Sequence, residues 1–282
     1  MNDVLTLAVN GLRYRVQRWR KEATDIPPID STLAQSVRGG GLCLLHGFSG
    51  AGVNWSPVVG MLHSPLMIAP DLIGHGGTDS PADPARYRME AAAADLYALW
   101  GQLELPPLHL VGYSMGGRLA LYTALAYPAM VTRLTLESAS PGLATEAERD
   151  DRRAADEVLA DQIESNGIAW FAAMWEQVPL FQHQSEKVRE VLRAVRLSQS
   201  ATGLANSLRG MGTGAQPSLW ERLPELSMPV DLIVGALDAK FVAINRQMAA
   251  RIPTCQLQVV DAAGHSVHQE QPHAVAALIN PV

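Results

Sequence analysis

The stretch Leu108-His109-Leu110-Val111-Gly112-Tyr113-Ser114-Met115-Gly116-Gly117-Arg118 decides the fold. A short apolar run after a Pro-Pro turn reads as a buried strand, and an Ala/Leu-rich helical pattern follows as far as Tyr127, before Pro128. Between them Gly112, Ser114 and Gly116 form the Gly-x-Ser-x-Gly pattern of a sharp strand-to-helix turn that exposes a nucleophilic serine. So tight a turn needs small residues at Gly112 and Gly116, where bulk would collide with neighbouring backbone. Ser114 then stands at the head of a helix, whose terminal N–H groups favour developing negative charge.

Outward from this turn, strands and helices alternate. Leu5 to Val9 and Leu12 to Trp19 flank Asn10-Gly11, a two-residue hairpin signal. Residues 21–40 contain Pro27-Pro28, end at the Gly39-Gly40-Gly41 run and read as a surface loop. Strands are expected at Leu42 to Leu45, Leu66 to Ala69, Val131 to Glu137, Val230 to Gly235 and Leu257 to Val260. Helices are expected from Trp55 to Leu62, Tyr87 to Leu103, Val242 to Arg251 and His273 to Ile279. Such alternation predicts an α/β fold with a mostly parallel sheet, begun here by an antiparallel hairpin. The block 141–226 breaks the rhythm, offers helix formers and no strand, and is expected to be a helical cap. The core would then comprise residues 1–140 and 227–282, with the cap over the carboxyl ends of the strands, where open α/β sheets bind ligands.

Composition narrows the function. A chain of 282 residues can bury the core of one large domain. A net charge of −6 argues against nucleic acid or an anionic membrane as partner. No apolar run is long enough to span a bilayer, and Met1-Asn2-Asp3-Val4 lacks the features of a signal peptide. Cys43 and Cys255 sit in or beside apolar runs and are expected to be buried free thiols, in keeping with a cytoplasmic protein. No metal or cofactor is expected, and the chain should be a monomer or a weak homo-oligomer.

A serine hydroxyl needs an imidazole to take its proton and a carboxylate to orient that imidazole. On this architecture the chain order is serine, acid, histidine. Two acids are candidates: Asp238, in the loop after the strand Leu232-Ile233-Val234-Gly235, and Glu137, at the end of an earlier strand. Asp238 is preferred because loop residues beyond strand ends can turn toward the site. His265, just past Val259-Val260, is preferred to His268, which is assigned a supporting or surface position. His46-Gly47-Phe48 after the first buried strand supplies the usual oxyanion arrangement, pairing the N–H of Phe48 with that of Met115. His75 reads as a loop-stabilising residue at most. Residues 191–220 hold Arg193, Arg196 and Arg209 and no Asp or Glu, and Arg118 follows Ser114 by one helical turn. Arginines without local acidic partners suggest clamps for carboxylates, hence a small polyanionic substrate.

These residues resemble one family. The whole chain is similar to the α/β-hydrolase superfamily, and from about Leu45 to Pro272 it resembles the 2-succinyl-6-hydroxy-2,4-cyclohexadiene-1-carboxylate synthases of menaquinone and phylloquinone biosynthesis. The likeness rests on Leu45-His46-Gly47-Phe48-Ser49-Gly50 with Trp55, Asp71-Leu72-Ile73-Gly74-His75-Gly76, the Ser114 turn with Tyr113 and Arg118, and Glu137-Ser138-Ala139-Ser140-Pro141-Gly142-Leu143. It extends through Trp175 with Pro179 and Phe181, Ser207-Leu208-Arg209-Gly210-Met211-Gly212-Thr213-Gly214, Gln216-Pro217-Ser218-Leu219-Trp220, Gly235-Ala236-Leu237-Asp238-Ala239-Lys240-Phe241 and Ala263-Gly264-His265. The loop 21–40 is longer than the compact family pattern. The resemblance implies a lyase that expels pyruvate from a 5-enolpyruvoyl cyclohexene carrying three carboxylates, with no acyl-enzyme. It further implies that Ser114, activated by His265 and Asp238, acts as general base, and that Arg118, Arg152 and Arg196 hold carboxylates. Tyr113 and Trp175 would line the pocket. Two other readings are a serine hydrolase of esters or carbon–carbon bonds, and a non-catalytic receptor on the same scaffold.

Overall fold

The computed structural model describes residues 2–21 and 41–280, so nearly all of the loop expected over 21–40 lies outside the described residues. The strands are β1 (Asn2–Val9), β2 (Leu12–Arg20), β3 (Leu42–Leu45), β4 (Leu66–Pro70), β5 (Leu108–Tyr113), β6 (Val131–Glu137), β7 (Val230–Gly235) and β8 (Cys255–Val260). They form one sheet in the order β1-β2-β4-β3-β5-β6-β7-β8. β1 and β2 pair antiparallel through a turn in which Asn10 and Gly11 both take positive φ, 46° and 83°. β2 meets β4 antiparallel, and every later pairing is parallel.

Burial on both faces accounts for the apolar strands at the centre of the sheet. Against one face pack α2 (Met89–Gln102) and α3 (Met115–Ala126), whose Leu96, Leu99, Trp100, Leu119 and Leu121 join Leu110 and Leu134 in the larger core. The other face is covered by α1 (Ser56–Val59), α8 (Val267–Glu270) and α9 (Pro272–Ile279), with Trp55, Val58, Val267 and Val275 packed around Val111 and Ile233. β5 is flanked by β3 and β6 along its length, which fixes the position of the residue that follows it.

The chain between β6 and β7 carries three α-helices: α4 (Glu146–Trp175), α5 (Glu186–Leu197) and α6 (Ala201–Met211). Their starts are written in the sequence. Thr145, Ser185 and Ser200 each accept a hydrogen bond from a backbone N–H in the first turn, and the Glu148 carboxylate accepts one from Thr145 N–H in a reciprocal box. α4 is interrupted at Gly167, where φ is +81°. Ile163, Phe171, Leu204 and Leu208 form a small core of their own, joined by Phe48 from the loop after β3. The remaining helix, α7 (Ala239–Ala249), runs between β7 and β8.

Cys43 is buried, and burial pushes its thiol up to about 12; Cys255 is only half-buried, because it opens β8 at the edge of the sheet. Both are free. No helix among the described residues is long and apolar enough to cross a membrane.

Glycines at the turn are fixed by backbone contacts. A Cβ on Gly116 would lie 2.4 Å from the carbonyl oxygens of both Leu45 and His46. Gly116→Ala should therefore cost about 2–4 kcal/mol and lower Tm by roughly 5–10 °C. Gly101, in α2, has nothing within 4 Å of such a Cβ, and Gly101→Ala should be neutral or stabilising by up to about 1 kcal/mol. Thermal melts of the two variants test the contrast; equal Tm values would show that α3 can retreat from β3.

Candidate active site

Ser114 ends β5 and begins α3 with φ +51° and ψ −109°, a conformation that few non-glycine residues adopt. Its N–H donates to Glu137 O at 2.8 Å, and its carbonyl accepts from Arg118 N–H at 3.0 Å, so the turn is tied at both ends. Its hydroxyl lies 3.0 Å from Nε2 of His265. On the far side of the same ring, Nδ1 is 2.7 Å from Oδ2 of Asp238. With Nδ1–H donating to Asp238, Nε2 is left as an acceptor for the serine proton. The second carboxylate oxygen of Asp238 accepts from Phe241 N–H at 3.3 Å, the first turn of α7.

His265 is held from several sides. Glu270 accepts from Gly264 N–H at 2.7 Å and from Ser266 N–H at 3.1 Å, gripping the chain on either side of the imidazole. The His265 ring is 1% exposed, with the Phe241 ring centroid 4.6 Å and that of Phe181 6.2 Å away. Ser266 Oγ lies 2.7 Å from Tyr113 OH, which links the residue after the imidazole to the residue before the nucleophile.

The other acid and imidazole belong to a separate pair. Glu137 Oε1 accepts from His268 N–H at 3.0 Å and faces His268 Nδ1 at 2.8 Å. His268 is buried and stacks on Trp55 with 4.4 Å between centroids. It is thus no surface residue; it fastens α8 to the end of β6.

His46 orders the loop that leads to Phe48. Its Nε2 accepts from Leu72 N–H at 2.9 Å, so its Nδ1–H donates to Gly47 O at 2.8 Å. Burial lowers its pKa to about 4, and it stays neutral. Gly47 must be glycine, since a Cβ would lie 2.6 Å from the Tyr113 ring. Met115, as the first residue of α3, has an N–H without an acceptor inside the helix. Both Phe48 and Met115 line the cavity that contains Ser114. His75 is also buried, bonded to Ile73 O and packed on His46 and Phe48.

The Ser114 cavity measures about 250 Å³ and lies between the strand ends and the helices of the 141–226 block. Arg118, Arg152, Trp175, Phe241 and His265 are on its wall. Burial of the Arg118 guanidinium, with Arg152 nearby, lowers its pKa to about 10, which leaves it cationic at neutral pH. Its Nη1 donates to Met211 O at 2.8 Å and to Gln216 Oε1 at 2.7 Å. Arg152 is held by Asp156, Nε to Oδ1 at 2.7 Å.

The remaining arginines depart from the sequence reading. Arg196 faces a second, smaller cavity beside Tyr113, Ser266 and His268, with Phe48 and Trp175 common to both walls. Its closest carboxylate is Glu176, at 3.5 Å. Arg193 pairs with Glu176, and Arg209 with Glu157, Asp161 and Glu164. Glu157, Asp161 and Glu164 lie on α4 and Glu176 immediately after it, far away in sequence, so the absence of local Asp or Glu in 191–220 did not mean unpaired arginines. Sequence reasoning also passed over Asp156, although its position four residues after Arg152 on one helix was a legible signal.

The two histidine–carboxylate pairs make the choice of acid testable. Asp238→Asn should remove most activity, by about 10³-fold or more in kcat, while leaving KM within a few-fold, because it would reverse the tautomer of His265. Glu137→Gln should act chiefly on stability, by about 1–3 kcal/mol, through a buried bond to His268. Paired kinetics and melts decide; a larger kcat loss in Glu137→Gln would make that residue the acid.

A family profile for the α/β hydrolase fold matches residues 42–272. A putative 2-succinyl-6-hydroxy-2,4-cyclohexadiene-1-carboxylate synthase of Bacillus subtilis (strain 168) is 44% identical over 239 residues, which is 84% of this chain and 87% of the relative. The 2-succinyl-6-hydroxy-2,4-cyclohexadiene-1-carboxylate synthase of Salmonella paratyphi C (strain RKS4594) is 34% identical over 83% of this chain and 90% of its own. The solved structure of MenH from S. aureus superposes with a TM-score of 0.83 at 31% identity, covering 94% of this chain and 96% of that one. With this fold, this Ser114 turn and these relatives, the chain belongs to the α/β hydrolase fold family and, within it, to the 2-succinyl-6-hydroxy-2,4-cyclohexadiene-1-carboxylate synthases.

Proposed function

We propose that the protein is a carbon–oxygen lyase of menaquinone or phylloquinone biosynthesis. It eliminates pyruvate from 2-succinyl-5-enolpyruvyl-6-hydroxy-3-cyclohexene-1-carboxylate and leaves 2-succinyl-6-hydroxy-2,4-cyclohexadiene-1-carboxylate. The observation that carries this reading is the hydrogen-bonded series Asp238–His265–Ser114 opening on a cavity that Arg118 and Arg152 line and no acidic side chain does. A hydrolase of neutral esters has no need of two guanidinium groups beside its nucleophile.

In this mechanism Ser114 passes its proton to His265 and takes a proton from the ring carbon next to the succinyl carbonyl. The C–H electrons shift into the ring, and negative charge collects on the carbonyl oxygen, where the N–H groups of Phe48 and Met115 receive it. The C–O bond to the enolpyruvoyl group then breaks, and pyruvate departs as its enolate. Asp238 keeps His265 in the accepting tautomer and stabilises the imidazolium. Arg118 and Arg152 hold carboxylates in the Ser114 cavity. Arg196, Tyr113 and Trp175 act from the smaller cavity next to it, with Trp175 between the two. The helical segment 141–226 serves as a cap on a core of residues 1–140 and 227–282, and the enzyme works in the cytoplasm as a monomer or weak homo-oligomer on a small tricarboxylate.

Release of pyruvate from the enolpyruvoyl substrate is the direct test. Ser114→Ala should lower kcat by a factor on the order of 10³ or more, His265→Ala by about as much, and the double variant by little more. Additive losses would mean that the two residues act separately. Turnover near the wild-type rate in Ser114→Ala would remove the serine from the mechanism.

The arginine beside the nucleophile separates a lyase from a hydrolase. Arg118→Ala should lower kcat/KM on the tricarboxylate about ten- to a hundredfold, through kcat as well as KM, and Arg118→Lys should restore only part. A neutral p-nitrophenyl ester should be indifferent. Equal losses on both substrates would show that Arg118 only braces the segment around Met211 and Gln216.

A further inference from the structure

Lys240 lies two residues beyond Asp238 and immediately before Phe241, whose ring centroid is 4.6 Å from that of His265. It therefore stands on the same wall of the Ser114 cavity as the imidazole, at its exposed edge. Three cations line this cavity: Arg118, Arg152 and Lys240. The two arginines are already engaged, Arg118 with Met211 O and Gln216 Oε1, and Arg152 with Asp156. Among the described residues no hydrogen-bond acceptor or carboxylate takes the Lys240 ammonium, whose contact is with the face of the Phe241 ring at 6.0 Å. Arg196, the third arginine marked out by the sequence, faces the neighbouring cavity.

A substrate with three carboxylates has one more anionic group than the arginines in the Ser114 cavity can meet. We propose that Lys240 is the third carboxylate-binding residue and that it holds the carboxylate of the enolpyruvoyl arm; the assignment rests on the lyase reading above. Position selects this arm. When the C–O bond breaks, its electron pair leaves on the oxygen of the pyruvate enolate, and the imidazolium of His265 is the acid that can return a proton to that fragment. The departing arm must therefore lie along the His265 wall, and Lys240 is the cation on that wall. An ammonium at an open edge also suits a fragment that has to escape, because a solvated point charge holds less firmly than a buried guanidinium fork.

The test uses pyruvate release by the full chain, with sodium pyruvate added as product inhibitor. K240Q should lower kcat/KM about three- to tenfold and weaken inhibition by pyruvate by a similar factor. K240R, which keeps the charge, should restore most of both. The gap between wild type and K240Q should close as ionic strength rises from about 0.05 to 0.5 M, since an exposed pair is screened. A purely structural role for Lys240 would move neither the salt dependence nor the pyruvate inhibition. Wild-type behaviour of K240Q at low salt, or equal impairment of K240R and K240Q, would overturn this assignment alone. Failure of the wild-type protein to release pyruvate would overturn the lyase reading and this assignment with it.

Discussion

The site depends on a single strained residue. Ser114 holds φ at +51° with a side chain attached, at a cost of order 1–3 kcal/mol that the surrounding packing has to offset. The packing is backbone against backbone. A Cβ at Gly112 would sit 2.4 Å from Gly116 O, and one at Gly117 would sit 2.6 Å from the Cβ of Ala139. β3, β5, the start of α3 and the chain after β6 therefore meet with nothing larger than the Ala139 methyl group between them. The serine cannot relax into an ordinary helical start without driving α3 out of the sheet, and its hydroxyl is held outward.

The same close approach recurs where the acid and imidazole originate. A Cβ on Gly235 would lie 2.1 Å from Gly264 O. Leu237 N–H donates to Ala263 O and Ala236 N–H to Val260 O, both at 2.9 Å, so the loops after β7 and β8 run as one layer. Asp238 and His265, separated by 27 positions, are thereby presented side by side, and the 2.7 Å bond between them follows from how the loops are sewn together. Glu137 had the same chance in sequence but lost it to geometry. It is the last residue of β6, still inside the pleat, and its carboxylate meets His268 from α8.

Local pattern was enough to read the strand–turn–helix, the hairpin and the alternation that makes the sheet parallel. These features are fixed by nearest neighbours: Asn10-Gly11 takes positive φ whatever lies beyond it, and Leu108, Leu110 and Val111 are apolar because both faces of the strand are covered. Side-chain partnership across the helices of the 141–226 block was not readable in this way. Arg193 and Arg209 find Glu157, Asp161 and Glu164 on α4 and Glu176 at its end, and only the packing of α4 against α5 and α6 brings these together. The position of Arg196 on a separate cavity was unreadable for a related reason. Phe48 and Trp175, with 5.3 Å between ring centroids, stand between its cavity and that of Ser114. A one-dimensional count of charges cannot register such a partition.

The charge balance within the Ser114 cavity explains how two arginines can wait there without substrate. Desolvation disfavours the Arg118 cation and Arg152 disfavours it further, while Asp156 opposes both effects. Asp156 is 4% exposed and bonds Arg152 through one oxygen; its other oxygen has no partner among the described residues. A single buried carboxylate thus offsets charge on both guanidinium groups. One counter-ion for the two arginines, with Lys240 at the edge as a third cation, leaves the cavity positive. Had each arginine its own acid, as Arg209 has three, the two guanidinium charges would be fully matched. The arginines on the outside of the helices are thus paired, while the pair within is under-compensated, and the excess positive charge is concentrated in this cavity.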